Sequence, residues 1–405
     1  MTSPAFRAAH ALPSHDHALR GEALRTFGAT EAVVTELLAY GASAFDAQVL
    51  RDPPAFPLED ERFVAAWSGY LLDAGREGVF TSLRRRLVQL NFPVASGTSE
   101  RDDYRAATRR GYMDDALRDG LRLDEPDALE LLLHPTPAGR IPVIITACRA
   151  DFVRLTQALT RRNEPEPIPS SMGACIVGGY NNWARVRELR AEWARRALPG
   201  DTVDDAAWAE ELRALTPRKE LYQDRFILLA AGPYSATSAE SMRLAPDEWR
   251  RLSATIRLEH ECTHYFTRRV FGSMRNTLFD ELCADYAGIV AAAGHFRSDW
   301  FLRFVGLEQA DGYRAGARME NYRGTPALSS EAFVVLQKVV RAAALQLERF
   351  DDVRRGRAPL SMTAAIIALA RVGLEQLAMV DGSQLLDAEL TRVEAVSSEA
   401  QSCPR

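Results

Sequence analysis

Apolar residues recur three and four positions apart along most of this 405-residue chain, and this spacing constrains the fold more than any other sequence feature. The pattern covers residues 29–120 and resumes after Gly294 in segments such as EAFVVLQKVVRAAALQLERF. Residues at this interval share one face of an α-helix, which can then pack against a core. We therefore predict a predominantly helical protein of the α+β class.

Short apolar runs between these helical regions indicate β-strands. In ALELLLHPTPAGRIPVIITAC, residues 128–148, two runs rich in Leu, Ile and Val flank Pro-Ala-Gly, which predicts a strand pair with a turn. GACIVGGY and RFILLAAGPYS, which begin at Gly173 and Arg225, predict two more strands. A small sheet is thus expected before residue 246.

These patterns divide the chain into three expected regions. Residues 1–125 form a helical N-terminal region, residues 126–295 a central core that contains the sheet, and residues 296–405 a helical C-terminal region. The proline-rich segment NEPEPIPSSMG, residues 163–173, is a candidate boundary between lobes.

Composition and charge argue against a nucleic-acid partner and against a membrane-spanning segment. The formal net charge is −5, and Lys219 and Lys338 are the only lysines, so the arginine-rich composition does not indicate a nucleic-acid surface. The most apolar run after the N-terminal segment, from Met362, contains Arg371 and Glu375 and is too interrupted to span a membrane. We predict no nucleic-acid or membrane partner, and the sequence leaves the oligomeric state open.

The cysteines and the N-terminus indicate a cytoplasmic protein. The five cysteines are scattered and include no Cys-x-x-Cys pair, which argues against disulfides and against a thiolate zinc site. The first twenty residues lack the apolar run of a signal peptide.

The octapeptide EHECTHYF contains the pattern His-Glu-x-x-His at His260, Glu261 and His264. Histidines four residues apart on a helix lie on one face and can bind one metal ion. Glu261 is turned toward the flank, where it can accept a proton from an activated water molecule. This combination predicts a Zn²⁺ site with Glu261 as general base, and the alternative is a solvated helix face.

A second helix supplies the missing ligand. FDELCADYAG carries Glu281 and Asp285 four residues apart, so we assign Glu281 as third ligand and Asp285 as the acceptor that orients a ligand imidazole. Asp280 could in principle reach the ion, but it is rotated by about 100° from Glu281 and suits a helix start capped by Thr277. We predict that Glu281→Ala loses zinc and that Asp280→Ala keeps it.

HECTH followed by ELCAD resembles the gluzincin class of zinc metallopeptidases, which includes thermolysin-like enzymes and aminopeptidases. The resemblance covers about residues 225–294 and implies a zincin-like core in which a strand before the first helix forms the substrate-binding edge. The stretch from His264 to Glu281 is shorter than in thermolysin-like enzymes and implies a tighter turn at GSMRNT, residues 272–277. GARMEN, residues 316–321, is similar to a substrate-binding motif of one aminopeptidase group, but that motif precedes the zinc helix and lacks the inserted Arg. We interpret it as coincidence.

Hydrolysis also needs a donor to the oxyanion, and Tyr234, Tyr313 and Tyr322 are candidates among which the sequence does not choose. His295 is a poor candidate because it lies about 20 Å along the helix from Glu281.

The function expected from these features is that of a zinc-dependent hydrolase acting on a peptide or small amide-containing substrate. One alternative is a metalloenzyme of small-molecule biosynthesis that uses the same site. The other is a non-catalytic helical binding protein.

Overall fold

The computed structural model of the protein describes residues 12–42, 45–112, 120–198, 202–272, 277–356 and 360–402, with side chains described as far as residue 396. The described residues form seventeen α-helices, and the prediction of a predominantly helical α+β protein is confirmed. The helices are α1 (His17–Thr26), α2 (Glu31–Tyr40), α3 (Ala47–Arg51), α4 (Phe63–Glu77), α5 (Val79–Arg86), α6 (Asp102–Arg110), α7 (Arg149–Thr160), α8 (Trp183–Arg196), α9 (Asp205–Leu215), α10 (Ala239–Met242), α11 (Pro246–Phe271), α12 (Leu278–Ala293), α13 (Ser298–Val305), α14 (Ser330–Arg354), α15 (Met362–Val372), α16 (Leu374–Leu377) and α17 (Gly382–Ser402).

One four-stranded sheet accompanies the helices. Its strands are β1 (Glu130–His134), β2 (Ile141–Thr146), β3 (Ala174–Asn181) and β4 (Gln223–Ala230), in the spatial order β1-β2-β4-β3. β2 and β4 are parallel, and the other two neighbouring pairs are antiparallel. The antiparallel pair β1 and β2 is the strand pair predicted around Pro-Ala-Gly.

The chain divides into two compact units. The first contains residues 1–58 and 233–405, and the second is the continuous segment 59–232, which includes the sheet. These limits differ from the expected boundaries at residues 125 and 295, and the segment expected as one core is divided at Pro233. The proline-rich segment 163–173 lies inside the second unit rather than between lobes.

The core of the second unit lies between the sheet and the helices α4 and α7, both of which contact β4. β4 is nearly all apolar and buried from Phe226 onward, as expected of a strand in the middle of a sheet. Trp67 of α4 packs against Phe226, with ring centroids 4.9 Å apart.

The first unit is closed by contacts between its two chain segments. Arg20 of α1 donates two hydrogen bonds to Glu375 of α16, at 3.1 and 2.8 Å, and both side chains are buried. Arg20 also donates to the carbonyl oxygen of Gly41 at 2.7 Å. A Cβ atom at Gly41 would lie 2.7 Å from the Arg20 guanidinium, so a side chain there would displace the ion pair.

Two other expectations concern membranes and thiols. No helix in the described part of the chain is both long and apolar enough to cross a bilayer. Cys148, Cys175, Cys262 and Cys283 are free thiols, whereas Cys403 lies outside the described residues.

Candidate metal centre

The motif residues lie on two consecutive helices of the first unit, α11 and α12. α11 begins at Pro246 and ends where Gly272 adopts a left-handed conformation (φ 75°), and α12 ends at Gly294 in the same way (φ 77°). Both motif segments lie on helices, as the sequence predicts. Thr277 occupies the N-cap position of α12, but its side chain makes no capping hydrogen bond. Four residues of the interhelical turn, 273–276, lie outside the described residues, so the tighter turn expected there stays a prediction.

A glycine allows the two helices to approach closely. A Cβ atom at Gly288 of α12 would lie only 2.6 Å from the carbonyl oxygen of Ile256 on α11. A side chain at this position would push the backbones apart. Gly288 therefore contributes to bringing the imidazoles of α11 to the carboxylates of α12.

The donor atoms of His260, His264 and Glu281 converge. The two histidine Nε2 atoms are 3.1 Å apart, and each lies 3.5 Å from an oxygen of the Glu281 carboxylate. Two atoms that bind a tetrahedral zinc ion at about 2.0–2.2 Å are themselves about 3.3–3.6 Å apart. The three side chains are buried and form a group that could hold a metal ion. Their spacing and chemistry fit one.

The far side of the His260 ring is held by α12 and by the segment before α10. Nδ1 of His260 lies 2.7 Å from Oδ1 of Asp285, which is fully buried. The Tyr234 hydroxyl donates to the same carboxylate oxygen and lies 2.9 Å from Nδ1. An acceptor at Nδ1 places the proton there and leaves the lone pair of Nε2 for a metal ion.

His264 has a carboxylate in the corresponding place. Nδ1 of His264 faces Oδ2 of Asp280 at 3.5 Å, and among the described residues neither atom has another partner. The other oxygen of Asp280 accepts a hydrogen bond from the Thr267 hydroxyl at 3.4 Å. Asp280 therefore lies behind a ligand imidazole, a position that differs from the helix-capping role expected from the sequence.

The electrostatics of the cluster favour a bound cation. Burial lowers the pKa of His264, but the carboxylates of Asp280 and Glu281 outweigh it and raise this pKa well above its usual value. Burial raises the pKa of Glu281, but Arg318 and the two histidines outweigh it and hold this pKa well below its usual range. For Asp285, Arg318 and His260 likewise outweigh burial and lower the pKa. Positive charge is thus favourable at the His264 imidazole even without an ion.

Glu261 follows His260 on α11 and is half-buried. Within the described residues, no hydrogen bond or ion pair engages its carboxylate. An uncommitted carboxylate beside a metal-ligand set is available to exchange protons with a water molecule.

The structure separates the three tyrosine candidates. The Tyr234 hydroxyl lies on the Nδ1 side of His260, away from the converging Nε2 atoms, so its position does not suit the expected oxyanion donor. The Tyr313 hydroxyl accepts from Arg323 at 3.4 Å, and its ring packs on Phe333. Tyr322 is the candidate beside the ligands: burial and the charge of Glu281 raise its pKa, although Arg318 opposes this shift.

His295, a poor candidate for the oxyanion donor, lies beyond the end of α12. Its Nδ1 contacts the carbonyl oxygen of Ala293 at 3.1 Å.

Arg318 is a site residue that the sequence reasoning missed. It begins the short 3-10 segment Arg318–Tyr322, and its guanidinium contacts Glu281, Asp285 and the Tyr234 hydroxyl. It is also the inserted Arg of GARMEN, residues 316–321. The chain is rich in arginine, so nothing in the local pattern distinguishes this one.

Comparisons with known proteins give a family and no function. No curated protein and no solved structure matches the chain. One family model matches residues 22–381, which is most of the sequence and includes every residue of the site. The chain therefore belongs to DUF7005, a family of unknown function.

Proposed function

We propose that this protein is a zinc-dependent hydrolase of the gluzincin type that acts on peptide or amide bonds. The observation that carries the proposal is the buried convergence of His260, His264 and Glu281, with a carboxylate behind each imidazole. Paired support of this kind orients metal ligands and raises their basicity. A helix face exposed to solvent would need none of it.

The donor set supports zinc as the metal. Two imidazoles and one carboxylate are the protein ligands of many catalytic zinc sites, in which a fourth position stays open. The same donors also suit iron or manganese, so the identity of the ion is part of what must be measured. In this proposal α11 and α12 are the two ligand-bearing helices of a zincin-like core.

Each residue of the site has a separate role in the proposed hydrolysis. A zinc ion in this site would supply a Lewis acid that activates water and polarises a carbonyl group. Glu261 accepts the proton from the attacking water and then donates it to the leaving amine. Asp285 and Asp280 hold His260 and His264, respectively, in the tautomer that presents Nε2. In this proposal the buried Tyr322 is the candidate donor to a developing oxyanion, because the hydroxyls of Tyr234 and Tyr313 are engaged elsewhere.

The substrate in this proposal is a peptide or a small molecule with an amide bond, and the reaction takes place in the cytoplasm. Nucleic acids and membranes have no part in it.

The decisive experiment compares the wild-type protein with Glu261→Gln. The amide preserves the shape of the side chain and removes the proton acceptor, so bound metal should remain while hydrolysis of a broad peptide library falls about 100- to 10,000-fold. Glu259→Gln, two residues earlier on α11, controls for the loss of a glutamate from this helix. Metal is measured by elemental analysis after purification without added metal.

Each result of this experiment has a defined meaning. Near wild-type hydrolysis by Glu261→Gln would remove Glu261 from the mechanism. A wild-type protein with stoichiometric metal but no peptide cleavage would favour the small-molecule metalloenzyme. Absence of metal from the wild-type protein, with no metal taken up on addition, would favour the non-catalytic binding protein.

A further inference from the structure

Arg318 contacts both acidic residues that serve the His260 side of the site. Its NH2 group donates to Oε2 of Glu281, and its NH1 group donates to Oδ2 of Asp285 and to the Tyr234 hydroxyl, each at 3.2 Å. The guanidinium also lies over the Tyr234 ring, with Cζ 5.7 Å from the centroid. Only 11% of the side chain is exposed. One planar group thus bridges a metal ligand and the carboxylate that orients another.

The buried carboxylates around Arg318 are stabilised by its positive charge. α12 carries three buried carboxylates within six residues, at Asp280, Glu281 and Asp285. Burying a carboxylate without a compensating positive charge is strongly unfavourable. The guanidinium compensates two of the three, and its planar fork can satisfy two acceptors at once.

The two oxygens of Glu281 have different partners. Oε1 lies 3.5 Å from Nε2 of His264 and Oε2 lies 3.5 Å from Nε2 of His260, but Oε2 also accepts a charge-assisted hydrogen bond from Arg318, which makes it the weaker ligand of the two. A carboxylate can bind a metal through one oxygen or through both. Binding through both would use the open position that a catalytic zinc site keeps for water or substrate.

We propose that Arg318 is a positioning residue that holds Oε2 of Glu281, so that only Oε1 is offered to the metal ion. The same guanidinium supplies the positive charge that keeps Glu281 and Asp285 together when the site is empty of metal. Arg318 does not touch the reacting atoms in this role. The first half of the inference rests on the proposed metal site, and the second half concerns the metal-free protein.

The test uses the full-length protein, stripped of metal and then loaded with Co²⁺, whose visible absorption reports the number of ligands. Arg318→Met removes the charge and the fork, and Arg318→Lys keeps the charge without the fork. Arg314→Met is the matched control, because Arg314 lies in the same segment but pairs with Glu308 at the surface.

Arg318→Met should lower the melting temperature of the metal-free protein by several degrees, and Co²⁺ should restore most of the loss. The visible bands of its Co²⁺ form should weaken relative to the wild type, as they do when cobalt gains a ligand. Arg318→Lys should have a melting temperature close to that of the wild type but show the weakened bands. This variant tests the hold on Oε2 even if Arg318→Met does not fold. Arg314→Met should match the wild type in both measurements.

Two results would overturn the inference. A metal-free melting temperature for Arg318→Met equal to that of Arg314→Met would refute the charge-compensating role. Wild-type cobalt bands in Arg318→Lys would refute the hold on Oε2. If the wild-type protein binds no Co²⁺, the proposed function and the hold on Oε2 both fail, and the melting temperatures still decide the role of Arg318 in the metal-free protein.

Discussion

Each unit of the molecule contains a buried polar cluster with at least one carboxylate, and the two clusters differ in how completely their polar atoms are paired. In the second unit, Asp224 accepts hydrogen bonds from Trp67 at 2.8 Å, from Asn182 at 2.6 Å and from Arg185 at 2.5 Å. Burial still raises the pKa of Asp224 in spite of these donors. Every one of these donors points at the carboxylate, and the cluster is a closed structural network.

The cluster of the first unit is left open at its centre. Two imidazole nitrogens face each other at 3.1 Å, and Nδ1 of His264 and Oδ2 of Asp280 have no partner within normal hydrogen-bond geometry among the described residues. Buried polar atoms are usually paired, so this group is incomplete as a purely structural network. A cation would bind the two facing Nε2 atoms and Glu281, whereas Nδ1 of His264 and Oδ2 of Asp280 lie behind the ring and face each other at 3.5 Å. Both clusters are buried and charged, so the facing imidazole nitrogens, rather than burial or charge, distinguish the cluster of the first unit.

Asp224→Ala should have the largest effect on stability, because it leaves Arg185 as a buried charge without its carboxylate. We expect the free energy of unfolding to fall by about 3–5 kcal/mol, measured by denaturant titration, with metal content unchanged. Asp205→Ala is the control, because Asp205 and its partner Arg190 are both exposed to solvent. We expect this substitution to lower the free energy of unfolding by about 0–1 kcal/mol. Loss of metal without loss of stability would reverse the assignment of the two clusters.

The two carboxylates behind the imidazoles should have intermediate effects, and they should be unequal. Asp285→Asn should raise the dissociation constant for Zn²⁺ roughly 10- to 100-fold, because Asp285 lies 2.7 Å from His260. Asp280→Asn should raise it by about 10-fold or less, because Asp280 is 3.5 Å from His264. Competition with a chromophoric chelator measures both constants. If both variants kept the wild-type dissociation constant for Zn²⁺, metal binding would not depend on these two carboxylates.

Tyr234→Phe should have the smallest effect. It removes the hydrogen bond to Asp285, worth about 0.5–1.5 kcal/mol, and the longer one accepted from Arg318 at 3.2 Å, which Arg318 can exchange for its other acceptors. The Zn²⁺ dissociation constant should therefore rise about 2- to 10-fold, and kcat should change no more than that. An oxyanion donor would instead cost about 100- to 1,000-fold in kcat. A loss of that size in Tyr234→Phe, with none in Tyr322→Phe, would restore Tyr234 to the reacting centre.

Local patterns in the sequence predicted the secondary structure of the ligand helices well. α11 begins at Pro246, and α11 and α12 end before Gly272 and Gly294, so their limits depend on residue types that favour these helix positions locally. The strand pair β1 and β2 follows from two apolar runs and one turn. Convergence of His260 and His264 follows from four-residue spacing on one helix.

Features that depend on distant residues were not predictable in this way. Arg318 reaches Glu281 from 37 positions along the chain, through a segment without helical periodicity. The role of Asp280 depends on how α12 is rotated against α11, which its own spacing relative to Asp285 does not give. The division into units depends on contacts such as that of Arg20 with Glu375, 355 positions apart.

That closure between Arg20 and Glu375 has a consequence for synthesis on the ribosome. At about 5–20 residues per second, the partner of Arg20 is added roughly 20 to 70 seconds after Arg20 itself. The second unit, residues 59–232, is complete long before then. Through this interval α1 and α2 carry apolar residues such as Leu24, Val34 and Leu37 that are buried in the finished protein. We expect the nascent N-terminal helices, rather than the inserted second unit, to be the segment that a chaperone holds.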